Sequence, residues 1–133
     1  MPYTESDYEK AVLQLFTQAL GYAYVYGPEV ERDYRSPLHE EALAASLQEL
    51  NPTLPQAALD EAMARLKTFD SGSLVQKNQV FTDYLQNGVP VKYVEEGEER
   101  SALVYLVDYQ HPGRNRFIVA NQWTVVELSL IHI

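Results

Sequence analysis

The segment from Leu103 to Val126 constrains the fold more than any other part of this sequence. It holds two short apolar stretches, Leu103–Val107 and Phe117–Val126, which are rich in β-branched and aromatic side chains. Such stretches, when turn residues separate them, are typical of strands in a sheet core. Pro112 and Gly113 lie between them and favour a turn. The segment therefore predicts a strand–turn–strand hairpin, against which we expect the preceding helices to pack.

The start of the chain predicts a helix followed by a strand. Thr4 is a good N-cap residue. Apolar residues then recur at helical spacing on one face of residues 5–20, namely Tyr8, Val12, Leu15, Phe16 and Ala19. Gly21 suits the end of this helix, and residues 22–26 (YAYVY) predict a short strand.

The middle of the chain predicts three helices and then two strands. Ser36-Pro37 marks a helix start, Pro55 opens a second helix, and a third spans about residues 74–86. Strands are predicted at residues 89–94 and 102–109, on either side of an acidic turn. This order of elements predicts an α/β fold of the mixed α+β kind, in one domain.

The composition excludes several classes of protein. A chain of 133 residues that is 46% hydrophobic predicts a globular domain with its own core. It has no cysteine, which rules out disulfides and thiolate metal sites. We expect no signal peptide and no membrane span, because the start lacks a basic region and no apolar run approaches ~20 residues. The expected location is the cytoplasm. A net charge of −9 argues against the chain gripping DNA on its own.

The common catalytic motifs are absent from the sequence. Its three histidines, His39, His111 and His132, are far apart and in no ligand spacing. No lysine follows an acidic residue at E-x-K spacing, and no glycine-rich phosphate loop occurs. Asp108 ends a predicted strand, where catalytic carboxylates often lie, but an aspartate there also initiates turns. The run Glu95–Glu99 is interpreted as a solvated hairpin tip.

Five groups of short motifs follow one another along the chain. They are Tyr3–Glu9 with Gly21-Tyr22, Leu50–Pro55 (LNPTLP), Lys77-Asn78 with Asn87–Val91, Val107-Asp108-Tyr109, and Asn115-Arg116-Phe117 with Asn121–Val125. In this order and spacing they resemble the start of the R subunit (HsdR) of type I restriction enzymes. The resemblance runs from about Tyr3 to Glu127.

This resemblance implies a part in DNA restriction. The family's R subunit is an ATP-dependent translocase and endonuclease that acts on DNA together with methylation and specificity subunits. Its N-terminal domain has a restriction-endonuclease-like PD-(D/E)xK fold, a mixed sheet flanked by helices. In that fold, carboxylates position Mg²⁺ to activate water.

The sequence departs from the family after Asn121-Gln122. There the family continues into strands that carry R-P-D and E-x-K, whereas residues 128–133 (LSLIHI) match neither. We therefore expect a domain over residues 1–127 that is truncated before its catalytic strands, followed by a non-native tail at 128–133. We expect this chain alone to bind no Mg²⁺ or ATP, and to self-associate through an exposed sheet edge.

One active-site residue is expected to remain. Nucleases of this fold resemble one another in carrying a glutamate on the first helix that reaches toward the metal. Glu9 is the better match, and we predict it as a catalytic residue and metal ligand, with a solvated surface position as the open alternative. Glu5 is the second choice, since a first-turn acid also complements the helix dipole.

Two other functions stay open. The acidic chain could be a protein-binding module that mimics DNA, in which case its carboxylates should line one surface at phosphate-like spacing. It could also be a small nuclease of another design, which would need two or three carboxylates converging on one pocket.

Overall fold

The structure, a computed structural model, describes residues 4–69 and 72–126. It divides into two compact units, one joining the chain up to His39 to the segment from Arg116 onward, the other formed by Glu40–Asn115. Within the described residues the elements are α1 (Glu5–Gln14), β1 (Ala23–Tyr26), α2 (Glu40–Leu50), α3 (Gln56–Lys67), α4 (Leu74–Asn87), β2 (Val89–Glu95), β3 (Glu98–Val104) and β4 (Ile118–Asn121). The predicted mixture of helix and sheet is confirmed. Across those ranges, no helix is both long enough and apolar enough to cross a membrane. The predicted tail at 128–133 lies outside the described residues.

The first unit is built on two parallel strands and one helix. β1 and β4 pair from Ala23 opposite Ile118 to Tyr26 opposite Asn121. α1 continues into a π-helical turn, Leu15–Ala19, and Gly21 follows at φ +73°, as a helix-terminating glycine should. The ring of Tyr22, just before β1, lies 5.0 Å from that of Phe16 and 5.1 Å from that of Phe117. These rings tie the end of the helix to both strands.

The inward face of α1 differs from the one that apolar spacing predicted. Glu9, Leu13 and Phe16 are half-buried, whereas Tyr8 and Val12 are 62% and 48% exposed. The π-helical turn interrupts the 3.6-residue period on which the prediction depended. The inward face is also set by partners elsewhere in the chain, and the polar residue Glu9 has such partners.

The second unit contains the hydrophobic core. β2 and β3 form an antiparallel hairpin from Val89 opposite Val104 to Glu95 opposite Glu98, which confirms the hairpin predicted around the acidic turn. α3 packs on both strands and α2 packs on α3. Among the described residues, the buried apolar ones are Leu47, Ala58, Leu59, Ala62, Leu66, Val89, Val91 and Val104. Removing this apolar surface from water is the main source of stability for the unit.

The hairpin predicted over residues 103–126 is wrong. β3 ends at Val104, and the second apolar stretch supplies β4, which pairs with β1. Phe117, which we expected inside a sheet core, is 47% exposed. The residues between the two strands form a loop with a 3₁₀ turn at Pro112–Arg114. Turn residues indicate that the chain reverses direction locally. Which strands pair is determined by packing between segments that are distant in sequence.

Two of the three middle helices begin where the sequence predicted. α3 follows Pro55, and α4 begins at Leu74 after a capping box formed by Ser73 and Gln76. The start predicted for α2 at Pro37 is wrong, because α2 begins at Glu40. The Ser36 hydroxyl accepts a hydrogen bond from the Leu38 N–H at 3.3 Å, so it stabilises a turn before the helix.

Candidate functional site

A capping box fixes the first turn of α1. The Thr4 hydroxyl accepts a hydrogen bond from the Asp7 N–H at 3.2 Å, and the Asp7 carboxylate accepts one from the Thr4 N–H at 2.9 Å. The bond from this N–H, with a second from the Thr4 hydroxyl, holds the pKa of Asp7 below its usual value. The box satisfies backbone donors that a helix start would otherwise leave open. It thereby fixes the start of α1, the helix that carries Glu9.

Two side-chain amides hold the carboxylate of Glu9. Asn121 Nδ2 donates a hydrogen bond to Glu9 Oε1 at 2.7 Å. Gln122 Nε2 donates to Oε1 at 3.3 Å and to Oε2 at 3.5 Å. Asn121 is the last residue of β4 and Gln122 follows it. The fold thus brings a carboxylate from the start of the chain to the end of β4.

Tyr24 orients the amide of Asn121. Its hydroxyl donates a hydrogen bond to Asn121 Oδ1 at 2.8 Å. Because the amide oxygen accepts this bond, the NH₂ group of the same amide is turned toward Glu9. Tyr24, Asn121, Gln122 and Glu9 form one polar network, which we call the Glu9 network.

The backbone beneath this network is closely packed. A Cβ atom at Gly27 would lie 2.5 Å from the Gln122 carbonyl oxygen and 2.7 Å from that of Asn121. Glycine is therefore needed where the end of β1 passes the end of β4. Gln122 has φ +52°, a left-handed conformation that costs a side-chain-bearing residue about 1–2 kcal/mol. Strained positions of this kind cluster at functional sites.

The site presents one oriented carboxylate at the carboxyl ends of two parallel strands. Open α/β folds bind their ligands at that edge, and carboxylate oxygens suit Mg²⁺. Over residues 4–69 and 72–126, however, no group of three or more His, Cys, Asp or Glu could hold a metal ion. The described residues therefore form no such group around Glu9.

Glu5 is not part of the network. It is the first residue of α1, where it is exposed and complements the positive end of the helix dipole. Of the two candidate glutamates, the structure brings only Glu9 to Asn121 and Gln122.

Asp108 lies in the second unit and closes a loop. It accepts hydrogen bonds from the His111 N–H at 2.9 Å, from the Gln110 N–H at 3.1 Å and from Arg114 NH1 at 3.1 Å. The hydrogen bond from the His111 N–H is the main cause that lowers the pKa of Asp108, and the positive charge of Arg114 acts in the same direction. The turn-initiating interpretation of Asp108 accounts for all of these contacts.

His39 and His111 each have a neighbour within their own unit. The ring of His39 lies 5.5 Å from that of Trp123, and His111 Nδ1 lies 3.6 Å from Asp108 Oδ2. His132 lies outside the described residues.

Sequence reasoning assigned no role to Asn121, Gln122 or Tyr24. Asn121-Gln122 belongs to a motif that supported the family resemblance, but no function was predicted for these two residues. The available signal was the pair of amides that interrupts an apolar stretch, since a polar residue in such a stretch needs a specific partner.

Comparison with known proteins identifies the family. The model for the family described as type I restriction enzyme R protein N terminus matches residues 2–130. The chain belongs to this family. It is 36% identical over 132 residues to the type I restriction enzyme HindI endonuclease subunit of Haemophilus influenzae. It is 28% identical over 123 residues to a putative type I restriction enzyme MjaIXP endonuclease subunit of Methanocaldococcus jannaschii. No solved structure gives a significant match.

The two alignments cover most of this chain and little of each relative. They include 89% and 88% of this chain, and 12% of each relative. The resemblance to type I restriction R subunits is therefore confirmed. The matched segment is a small part of each relative. The activity of a whole relative therefore also depends on the sequence outside the match.

Proposed function

We propose that this chain contributes to the nuclease domain of a type I restriction endonuclease subunit, which cleaves foreign DNA with Mg²⁺. Support comes from its family and from its similarity to two endonuclease subunits. We propose a restriction-endonuclease-like PD-(D/E)xK fold, with which the mixture of helices and sheet is compatible. In this proposal the whole subunit uses ATP and acts on DNA in the cytoplasm with methylation and specificity subunits.

The observation that carries the proposal is the way in which Glu9 is held. Among the described residues, no lysine or arginine forms an ion pair with Glu9. Its partners are two neutral amides, which fix its direction and leave its negative charge uncompensated. Such a carboxylate is suited to attract a divalent cation, and Glu9 is the residue that we propose as a metal ligand.

The distribution of the other acids favours this proposal over DNA mimicry. Asp7 belongs to a capping box, Asp108 closes a loop, and Asp33 and Glu40 form ion pairs with Arg35 and Lys67. These acids serve local structure, whereas a mimic would present them to a partner in a row.

The test uses a chimera with the Haemophilus influenzae endonuclease subunit, in which residues 1–126 of this chain replace the matching segment. The chimera should cleave unmodified DNA with Mg²⁺ and ATP. Glu9→Gln keeps the size of the side chain and removes its charge, and it should lower cleavage by roughly 100-fold or more. ATP hydrolysis should be unchanged, because the substitution lies in the nuclease segment.

Glu5→Gln is the matched control, since it makes the same change one turn earlier on α1. We expect it to cleave at the rate of the unmodified chimera. Normal cleavage by Glu9→Gln would refute the role of Glu9. Chimeras that hydrolyse ATP but never cleave DNA would refute the assignment of this chain to the nuclease domain. The unmodified 133-residue chain alone should not cleave duplex DNA, and nicking that disappears in Glu9→Ala would contradict this expectation.

A further inference from the structure

The second unit contains a groove that the proposed function leaves unused. It has a volume of about 430 Å³ and lies between α3 and α4. Glu61 and Arg65 line it from α3, Lys77 and Tyr84 line it from α4, and Phe69 lines it from the connecting segment. Glu61 and Arg65 are four positions apart on α3. Lys77 and Tyr84 are seven positions apart on α4, so each helix contributes a single face. We call this the α3–α4 groove.

The α3–α4 groove is basic although the chain is acidic. Arg65 Nε lies 4.0 Å from the Glu61 carboxylate, a long and exposed pair that leaves the guanidinium able to contact a further anion. Lys77 is half-buried, and among the described residues it forms no ion pair. A partly desolvated ammonium is stabilised by any anionic group that reaches it. The groove therefore favours a ligand with negative charge.

Aromatic rings form the other part of the groove. Phe69 lies 6.2 Å from Tyr84 and 6.4 Å from Phe81 between ring centroids, and all three side chains are half-buried. Phe69 and Tyr84, which line the groove, offer apolar ring surface beside the two cations. Cations that contact a backbone, next to rings on which bases stack, are the common means of binding a single nucleic-acid strand. A volume of this size also suits a ligand as large as a nucleotide.

We propose that the α3–α4 groove binds one nucleotide of a DNA strand, with its phosphate near Arg65 and Lys77 and its base against Phe69 and Tyr84. The inference rests on the proposed function in one respect, namely that DNA is the ligand. The negative charge of the whole chain opposes binding. The groove therefore fits a weak contact that directs a strand already held by the rest of a larger protein.

The experiment titrates the isotope-labelled full chain with three probes and follows backbone amide signals by NMR. The probes are a short oligodeoxythymidine, thymidine monophosphate and inorganic phosphate, which separate a DNA strand from a free nucleotide and a simple anion. The oligodeoxythymidine should bind most tightly and should shift the signals of Arg65, Lys77 and Tyr84. Arg65→Gln and Lys77→Gln should each weaken its binding about tenfold. Each should also reduce the slope of log affinity against log salt by about 0.7.

Lys92→Gln and Arg100→Gln are the matched controls on the β2–β3 hairpin. Lys92 lies 3.9 Å from Glu99 and Arg100 lies 3.6 Å from Glu98. Each control substitution changes the net charge of the chain by the same amount as a groove substitution. We expect both control variants to bind the oligodeoxythymidine as the unmodified chain does. Glutamine is a good helix former, and unchanged thermal midpoints would show that the Arg65 and Lys77 variants are folded.

Three results would overturn the inference. The oligodeoxythymidine could fail to bind, the control variants could lose as much affinity as the groove variants, or inorganic phosphate could bind as tightly as the oligodeoxythymidine. The Glu9→Gln chimera separates this inference from the proposed function. If the Glu9→Gln chimera fails to cleave DNA while the groove variants bind the oligodeoxythymidine as the unmodified chain does, the groove inference is refuted and the proposed function stands. If it cleaves normally while the groove variants lose binding, the nuclease role of Glu9 is refuted and the groove stands.

Discussion

Asn51→Ala should destabilise the second unit by about 3 kcal/mol. Asn51 follows α2 and is 5% exposed. Its Oδ1 accepts a hydrogen bond from the Tyr105 N–H at 2.8 Å, and its Nδ2 donates to the carbonyls of Tyr105 and Leu47 at 2.9 and 3.0 Å. The Asn51 side chain therefore pairs with both backbone groups of Tyr105, just beyond the end of β3, as a neighbouring strand would.

The magnitude follows from the groups that alanine would leave without partners. The Leu47 carbonyl keeps a hydrogen bond from the Asn51 N–H at 3.0 Å, but the N–H and carbonyl of Tyr105 lose their partner. These hydrogen bonds are part-buried, so the unsatisfied donor costs about 1–2 kcal/mol, and each further lost hydrogen bond costs about 1 kcal/mol. For a unit of this size each kcal/mol corresponds to roughly 4–8 °C, so the thermal midpoint should fall by roughly 12–24 °C.

Thermal and urea unfolding followed by circular dichroism measure this loss. Asn87→Ala is the control, because it makes the same substitution where the side chain is exposed and bonds to Asp83 at 2.7 Å. A surface change of this kind should cost no more than about 0.5 kcal/mol. If both variants shift the midpoint equally, Asn51 does not link α2 to the end of β3 in the way that we describe.

Three other predictions concern the site, the loop and the sheet edge. Gly27→Ala should destabilise the first unit by about 1–3 kcal/mol, because its Cβ would meet backbone atoms of Gln122; an unchanged thermal midpoint would contradict the close approach of the strands. Because the pKa of Asp108 is lowered in the folded state, the ionised Asp108 carboxylate stabilises the fold above the ordinary pKa of 3.8. This stabilisation is lost as the pH falls through the lower pKa of the folded state. The stability difference between the unmodified chain and Asp108→Asn should therefore shrink below that pH in urea unfolding, and a difference that does not depend on pH would show that the contacts of the carboxylate are unimportant. The unmodified chain should self-associate in light scattering, less so when it is shortened to end at residue 127, because two paired strands leave edges that can pair with other chains; a monodisperse monomer would refute this.

Features encoded within a few neighbouring residues were predicted from the sequence. The Thr4 cap, the helix-terminating Gly21 and the start of α3 after Pro55 are all where expected. So is the hairpin on either side of the acidic turn, whose two positive-φ residues are Glu96 and Gly97. Each depends on a capping bond, a fixed φ angle or a tolerated positive φ, which are properties of the residue and its immediate neighbours.

The candidate glutamate was also predicted, but its surroundings were not. Glu9 was selected through a family resemblance, and its spacing on α1 indicated neither its partners nor its inward orientation. Apolar spacing favoured a neighbouring face of the helix, with Tyr8 and Val12 inward, and these two side chains are exposed. The polar partners of Glu9 outweigh the apolar pattern, because a carboxylate that leaves water must have its hydrogen bonds replaced.

The pairing of β4 with β1 was decided by the tertiary structure alone. The sequence indicated that both segments favour strands, but turn residues before Phe117 suggested a neighbour close in sequence. In the fold, parallel pairing brings Tyr24 to Asn121 and Glu9 to Gln122 across 97 and 113 positions of sequence. Contacts at such distances carry no local signal, since each residue involved is compatible with many partners. They form because parallel pairing lets the strands, the aromatic rings and the Glu9 network all be satisfied together.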